Sequence, residues 1–288
     1  MNVYEIVNDR VIKMLEAGTV PWHKPWAEVG APRNLVSKKP YRGINVFLLS
    51  ATKYVQPWWL SYKQATDLGG YVRKGEESSI VVFWKVDAIE DPDKQEGEIS
   101  SADKSRMVLR YYRVFNVEQC DLPEKVLAKL PAIETREHEP IDEAQVIYDS
   151  YPERPAITRE GGKAYYSPAS DTVNLPAHAL FESAEEFYST AFHEFTHSTG
   201  HPKRLARDSF KEPSHFGSAI CSREELVAEM GSAYLCAEAG ISTAVIENQA
   251  AYIQGWLLKL RSDSRLVVIA AAQAQKAADH IMNRKFER

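Results

Sequence analysis

The pentapeptide HEFTH, whose histidines are His193 and His197, constrains the fold more than any other feature of the sequence. Residues four positions apart lie one above the other on the same face of an α-helix. The flanking sequence predicts such a helix, because Ser183 and Glu186 form a capping-box pattern at its start and Gly200 is suited to end it. Two imidazoles on one helix face can occupy two positions of a tetrahedral zinc site.

Glu194 follows the first histidine, where it would activate a water molecule by accepting a proton and returning it to a leaving group. An HExxH pattern also arises on solvated polar helix faces, so a catalytic site needs a third protein ligand. The metzincin pattern HExxHxxGxxH matches at Gly200 but requires a histidine where this chain has Lys203. His201 falls two residues short of that position. We therefore reject the metzincin interpretation and expect His201 to be exposed or beside the ligands.

A second segment, CSREELVAEMGSAYLCAEAGI, offers a glutamate as third ligand, since Glu225 and Glu229 lie four apart on one predicted helix face. In glutamate-zincins an E-x-x-x-D pair divides two tasks: the first carboxylate binds the metal, and the second holds a ligand histidine. Here Glu229 replaces the aspartate. Two alternatives remain open, because Glu225 could instead cap its helix with Ser222, and Glu229 could be the ligand. The candidates for stabilising a developing oxyanion are His215, Tyr165 and Tyr166.

The first part of the chain interleaves aromatic and basic residues. Residues 1–86 contain 12 Lys/Arg against 7 Asp/Glu and five of the six tryptophans, although the whole chain has a net charge of -5. Proteins bind single-stranded nucleic acid with this combination of residues. Each base that stacks on an aromatic ring contributes about 1–3 kcal/mol, and a positively charged groove holds the phosphate backbone. Ordinary core packing of tryptophan and tyrosine explains the same pattern. The candidate DNA contacts are Trp22, Lys24, Trp26, Arg33, Lys38, Lys39, Tyr41, Arg42, Trp58, Trp59, Lys63, Arg73 and Lys74.

Hydrophobic periodicity and polar stretches predict an α+β protein of two domains. An amphipathic helix opens the chain, and the strands SSIVVFWKV and RMVLRYYRVFNV flank an acidic excursion. A polar stretch then predicts a linker over residues 131–143, between a mixed α/β domain (1–130) and a second domain (144–288). The second domain should be mostly helical after residue 183, with one strand around KAYYSPASDTVNLP.

Cysteine usage and hydropathy indicate the compartment. Cys120, Cys221 and Cys236 are widely spaced and odd in number, which argues against a disulfide framework and favours a reducing environment. No apolar run approaches membrane-spanning length, and the acidic residues near the N-terminus do not fit a signal peptide. We therefore expect a soluble cytoplasmic protein without a membrane partner.

Long blocks in both halves resemble the ArdC-type antirestriction proteins of conjugative plasmids, and the first half is also similar to the N-terminal region of TraC-type plasmid primases. The resemblance covers nearly the whole chain. In the first half it rests on VYEIVNDRVIKMLEAGTVPWHKPW, PRNLVSKKPYRGINVFLLS, WWLSYKQATDLGGYVRKGE and VFNVEQCDLP. In the second half it rests on AYYSPASDTVNLP, FYSTAFHEFTHSTGH, EELVAEMGSAYLCAEAGI and AAYIQGWLLKL.

The resemblance implies a single-stranded-DNA-binding domain followed by a zincin-like metallopeptidase domain, which together shield incoming plasmid DNA from host restriction. It assigns Zn²⁺ to His193, His197 and a glutamate of EELVAE, with Glu194 as general base; Mn²⁺ or Fe²⁺ would also suit these ligands. The run SREELVAE is similar to the S-R…E-x-x-A-D run of membrane zincins, which favours Glu225. The implied partners are single-stranded DNA and a host restriction component as peptide substrate. The alternative is a pure single-stranded-DNA-binding protein whose metal domain is structural or regulatory.

Overall fold

The structure of the chain is a computed structural model. The residues that it describes are 2–17, 20–21, 31–52, 54, 56–88, 105–130, 140–161, 163–181, 183–210, 219–241 and 249–285. None of the helices in these ranges is both long enough and apolar enough to span a lipid bilayer.

Within these residues the chain forms nine α-helices and nine strands. The helices are α1 (Val3–Glu16), α2 (Ile44–Ser50), α3 (Tyr62–Asp67), α4 (Glu124–Leu127), α5 (Pro140–Ser150), α6 (Ala184–Ser198), α7 (Ala219–Glu238), α8 (Gln249–Ser262) and α9 (Leu266–Ile281). The strands are β1 (Arg33–Asn34), β2 (Trp58–Leu60), β3 (Tyr71–Val72), β4 (Ser79–Ala88), β5 (Ser105–Asn116), β6 (Cys120–Asp121), β7 (Ala156–Thr158), β8 (Tyr165–Ser167) and β9 (Thr172–Asn174).

The first half is built on a four-stranded sheet in the order β1-β2-β5-β4. β4 and β5 form a long antiparallel ladder from Ser79↔Val114 to Ala88↔Ser105, which confirms the two predicted strands. The acidic excursion between them, residues 89–104, lies outside the described residues. The predicted N-terminal helix is confirmed as α1, where an Asn2–Glu5 capping box fixes the start.

The second half combines a small sheet with the helices α5–α9. The sheet has the order β7-β9-β8, with β7 parallel and β8 antiparallel to β9. The prediction of one strand around residues 163–176 was wrong, because Ser167 to Thr172 turns the chain and makes a β8–β9 hairpin. Asp171 has a positive φ of 50° in this turn, a conformation that Asp tolerates better than most residues.

The predicted linker and the predicted cap at Ser222 both differ from the structure. α5 begins at Pro140, so residues 140–143 are helical, whereas residues 131–139 lie outside the described part. α7 begins at Ala219, which places Ser222 inside the helix and removes it as an N-cap for Glu225. Among the described side chains, Cys120 and Cys236 are buried free thiols.

One hydrophobic core joins the two halves. Val7, Val11 and Leu15 of α1 are almost completely buried in the same cluster as residues of α6, α7 and α9. Phe47 of α2 stacks on Tyr234 of α7 with ring centroids 4.7 Å apart. The helical platform that holds α6 and α7 therefore also packs against the first half of the chain.

Candidate metal centre

Helix α6 presents the two predicted histidines on one side and packs an apolar stripe on the other. The Ser183 hydroxyl accepts a hydrogen bond from the Glu186 backbone N–H at 3.1 Å and caps the helix. Phe192 and Phe195 are fully buried in the core, so the remaining face carries His193 and His197. Their Nε2 atoms lie 3.2 Å apart.

Helix α7 supplies the third donor. Glu225 Oε1 lies 3.3 Å from His193 Nε2, and Glu225 Oε2 lies 3.7 Å from His197 Nε2. Leu226, Val227 and Met230 are fully buried, which fixes the rotation of α7 and turns Glu225 towards α6. Of the two glutamates considered from the sequence, Glu225 is the one that completes the group.

The three groups fit a metal ion. Among the described residues they form a cluster whose donor atoms all lie within 4.8 Å of one another. A tetrahedral ion about 2.0–2.1 Å from each donor would separate the donors by roughly 3.4 Å, close to the distances seen. Two imidazoles and one carboxylate are also a donor set typical of catalytic zinc sites.

The protonation of His193 reflects this concentration of carboxylates. Burial opposes the charged imidazolium, but the hydrogen bond that it donates to Glu225 and the negative charges of Glu225, Glu229 and Glu194 raise the pKa of His193 to about 9. Glu229 lies about one helical turn after Glu225 on α7. Glu194, which follows His193 on α6, is only 9% exposed.

The structure also places two residues at the site that we did not predict, Glu224 and Arg207. Glu224 Oε1 lies 3.5 Å from His197 Nδ1, the ring nitrogen turned away from the metal position. Arg207 donates to both carboxylate oxygens of Glu224, and also to the backbone carbonyls of Thr196 and His197 at 2.8 and 3.2 Å. Glu224 is therefore a carboxylate that holds His197, while the role of Glu229 in holding a ligand histidine stays a prediction.

Glu224 stays ionised in this position. Burial raises its pKa, but the hydrogen bond with His197 and the charge of Arg207 outweigh burial and lower the pKa of Glu224 to about 2. Arg207 is itself only 6% exposed. A buried arginine needs such a counter-charge, so Glu224 and Arg207 form one unit at the end of α6.

Three further residues considered from the sequence lie around the β8–β9 hairpin. The Tyr166 hydroxyl donates to Asp171 at 2.9 Å, and Arg204 binds the same carboxylate, so Tyr166 is engaged in an ion-pair network. Tyr165 is 48% exposed on the same strand. His201 Nδ1 lies 3.8 Å from Asp171 and outside the metal group. His215 lies outside the described residues.

The predicted DNA contacts separate into exposed and buried groups. Trp58, Trp59 and Tyr41 are 7%, 2% and 7% exposed, which leaves little ring surface for a base. Lys38, Lys39, Lys63, Arg33 and Lys74 are exposed. Trp22, Lys24 and Trp26 lie outside the described residues.

Two of the predicted basic contacts form ion pairs. Arg42 pairs with Asp279 of α9. Arg73 pairs with Glu76 at 3.1 Å. Lys38 lies over the ring of Trp58, 4.7 Å from its centroid. DNA binding by any of the candidate residues stays a prediction.

Comparison with known proteins assigns the class of the metal domain first. Residues 152–273 match the family described as zincin-like metallopeptidase, in agreement with the helix-borne histidines and glutamate. The fold and site therefore define a zincin-like domain, and its donor set points to a divalent metal.

The whole chain belongs to the ArdC-type antirestriction proteins. Residues 1–115 match the N-terminal domain of anti-restriction factor ArdC. The metal-free crystal structure of antirestriction ArdC protein from plasmid R388 is 37% identical with a TM-score of 0.75, covering 99% of this chain and 100% of that one. The Mn(II)-bound crystal structure of the same protein is 36% identical with a TM-score of 0.75, covering 98% of each chain.

Two kinds of sequence relative extend this comparison. Protein y4eC of Sinorhizobium fredii is 35% identical over 96% of this chain and 91% of its own length. A DNA primase TraC of Escherichia coli is also 35% identical over 97% of this chain, but the match spans only 27% of the primase.

Proposed function

We propose that this antirestriction protein binds single-stranded plasmid DNA as it enters the recipient cytoplasm during conjugation, and that its zincin-like domain hydrolyses a peptide bond in a host restriction component. The observation that carries the enzymatic part is the convergence of His193, His197 and Glu225 with Glu194 beside them. We propose zinc as the metal in the cell, because two imidazoles and one carboxylate suit it; Mn²⁺ and Fe²⁺ are compatible with the same donors.

The side chains of the site divide the work of hydrolysis. The metal, when bound, supplies Lewis acidity that lowers the pKa of water and polarises a carbonyl. Glu194 takes the proton from the attacking water and delivers it to the leaving nitrogen. Glu224 accepts a hydrogen bond from Nδ1–H of His197, which keeps Nε2 unprotonated and facing the metal position.

Strand β8 gives a protein substrate a surface near the histidines. In the described part of the chain β8 is an edge strand of the sheet β7-β9-β8. It also packs against α6, which carries the histidines. A peptide that lies along β8 would therefore run beside the metal centre.

The position of the metal donors on two different helices supports a second, non-hydrolytic function. The donors come from α6 and α7, so a bound metal would hold these packed helices together. In this alternative the domain is structural or regulatory, and protection comes from coating single-stranded DNA alone.

Glu194→Gln distinguishes the two functions, because it removes the general base and leaves the three donors in place. The measurement is plasmid transfer into a restricting recipient relative to a non-restricting one, at matched protein levels. The control is Glu185→Gln, an exposed position in the first turn of the same helix. Loss of protection with normal metal content supports hydrolysis. Full protection by Glu194→Gln contradicts it and supports the coating function.

The DNA-binding part is tested separately with the whole protein and fluorescein-labelled oligothymidylate. We expect tighter binding to the single strand than to duplex, with affinity falling as salt rises because basic side chains displace counterions. Equal affinity for both forms, or no binding, would remove single-stranded DNA from the proposal.

A further inference from the structure

A cleft of about 460 Å³ opens in the first half, between the β4–β5 hairpin and the segment that follows β1. It lies far along the chain from the metal ligands, and none of them lines it. The residues that form its walls include Asn34, Lys39, Tyr41, Gln64, Phe83 and Tyr112.

Two aromatic rings stand at the mouth of this cleft. Phe83 is 45% and Tyr112 is 44% exposed, and their ring centroids lie 5.9 Å apart. Tyr41 lies below them, 6.2 Å from Phe83, and is buried. Neighbouring aromatic rings that leave this much apolar surface in water are typical of binding sites rather than of a packed core.

The strand register explains why these rings share one surface. Val81 is directly opposite Tyr112, and Phe83 is directly opposite Arg110. Directly opposed residues project from the same sheet face, and so do residues two apart on one strand. The face that carries Phe83 and Tyr112 therefore continues to Arg110 and to Lys85, both of which are exposed.

The charge of the residues around the cleft suits an anionic ligand. Lys39 is exposed at its rim, and no carboxylate lines it within the described part of the chain. Its floor is fixed by hydrogen bonds, since Asn34 Nδ2 donates to Gln64 Oε1 at 3.1 Å and Asn34 Oδ1 accepts from the Ser37 backbone N–H at 2.9 Å. A fixed floor lowers the ordering cost of binding.

We propose that this cleft binds a base of single-stranded DNA, which stacks on Phe83 and Tyr112, while Lys39, Arg110 and Lys85 contact the adjoining phosphates. This inference rests on the proposed DNA-binding function and gives it a location. Stacking on exposed rings next to cations is the chemistry that single strands use. A paired base in duplex does not offer its face, so the cleft selects single strands.

The hairpin provides matched controls for this site. Trp84 and Tyr111 are the chain neighbours of Phe83 and Tyr112, are 47% and 40% exposed, and project from the opposite face. Phe83→Leu and Tyr112→Leu in the whole protein should each weaken binding to fluorescein-labelled oligothymidylate about tenfold. Trp84→Leu and Tyr111→Leu should leave affinity unchanged, and thermal unfolding would establish that all four variants fold.

Two further measurements separate stacking from loss of structure. Tyr112→Phe keeps the ring and should bind as the wild type does. An abasic strand of equal length should bind wild type and Phe83→Leu equally weakly, because there is no base to stack. Two outcomes would overturn the cleft assignment while leaving DNA binding intact. In the first, Phe83→Leu and Tyr112→Leu bind the strand as well as wild type does. In the second, only Trp84→Leu and Tyr111→Leu lose affinity. If wild type does not bind the strand at all, both the cleft assignment and DNA binding fall.

Discussion

Gly231 of α7 packs against Thr196 of α6 so closely that a Cβ atom at position 231 would lie 2.4 Å from Thr196 Cγ2. Thr196 is β-branched, fully buried and hydrogen-bonded to the Phe192 carbonyl, so it has little freedom to move away. It directly precedes His197. The absence of a side chain at Gly231 therefore sets how near α7, and with it Glu225, comes to the histidines.

Gly231→Ala should destabilise the protein and weaken metal binding together. The added methyl overpacks the α6–α7 contact, which costs about 1–3 kcal/mol of unfolding free energy, and it moves Glu225 away from His193 and His197. Urea unfolding of the metal-free protein and calorimetric titration with Zn²⁺ measure the two effects.

Gly255→Ala on α8 is the matched control, because no described atom lies within 4 Å of a Cβ at that position. An alanine in an open helical position should stabilise by about 0.5–1 kcal/mol. Equal effects of the two substitutions would show that the close α6–α7 contact does not position the ligands.

Glu224→Gln should lower metal affinity although residue 224 is not a ligand. The substitution removes the charge that holds His197 Nδ1 and Arg207, and loss of such a carboxylate typically costs about 10–100-fold in metal affinity. It also leaves the buried Arg207 without its counter-charge, so the metal-free protein should lose about 1–3 kcal/mol of unfolding free energy.

Glu225→Gln provides the contrast. Glu225 is one of the three donors, so its loss should abolish tight metal binding, whereas Glu224→Gln should only weaken it. The measurements are zinc titration and urea unfolding of both variants. A Glu224→Gln variant with wild-type zinc affinity would limit Glu224 to a structural role.

The sequence predicted the ligand-bearing helix because its signals are local. All of these signals lie within one helix: the cap at Ser183, the spacing of His193 and His197, and the apolar stripe on the other side. Glu224 was missed because consecutive helical residues differ by about 100° in direction, and only the packing of α7 decides which one faces His197. Arg207 reaches the site through a turn after α6, a contact that no local pattern encodes.

Amino-acid composition also could not predict which aromatic side chains of the first half are exposed. Trp58 and Trp59 lie on β2, which is between β1 and β5 and is buried on both faces. Phe83 and Tyr112 lie on the β4–β5 hairpin, where aromatic rings on both faces remain exposed. The number of tryptophans therefore does not reveal which rings are accessible, because the order of strands determines that.

Asp171→Asn should remove stability that depends on pH. Burial raises the pKa of Asp171, but hydrogen bonds from Arg204 and Tyr166 outweigh burial and lower it below the ordinary 3.8. The unfolded chain therefore takes up this proton first as pH falls. The stabilisation is complete above the ordinary pKa and is lost as pH falls below it.

Near neutral pH we expect Asp171→Asn to cost about 1–3 kcal/mol, because the Arg204 side chain is only 2% exposed and loses its charged partner. Asparagine also tolerates the positive φ at this position. Asp149→Asn, whose side chain is 60% exposed and 3.5 Å from Arg154, should change stability by less than about 1 kcal/mol. Urea unfolding as a function of pH measures both; a pH profile unchanged by Asp171→Asn would contradict the assignment.

The shared core predicts that the first half is not independently stable. Beyond the Phe47–Tyr234 stack, the Asn8 side chain donates to the Leu260 carbonyl at 2.8 Å and the Gly43 backbone N–H donates to Gln275 at 3.2 Å. A fragment of residues 1–130 lacks α7, α8 and α9 and would expose Val7 and Phe47 to water. We expect it to unfold at lower urea concentration, or without a cooperative transition, when compared with the whole protein.

Phe47→Ala in the whole protein tests the same contact without truncation. Deleting a buried phenylalanine ring should cost about 3–5 kcal/mol of unfolding free energy. Val146→Ala, at a position that is 67% exposed on α5, should be nearly neutral. A fragment 1–130 that unfolds cooperatively at the midpoint of the whole protein, together with a Phe47→Ala variant of wild-type stability, would mean that the two halves fold separately. Because we expect the reverse, assays of DNA binding should use the whole chain, in which the Phe83–Tyr112 cleft keeps its supporting core.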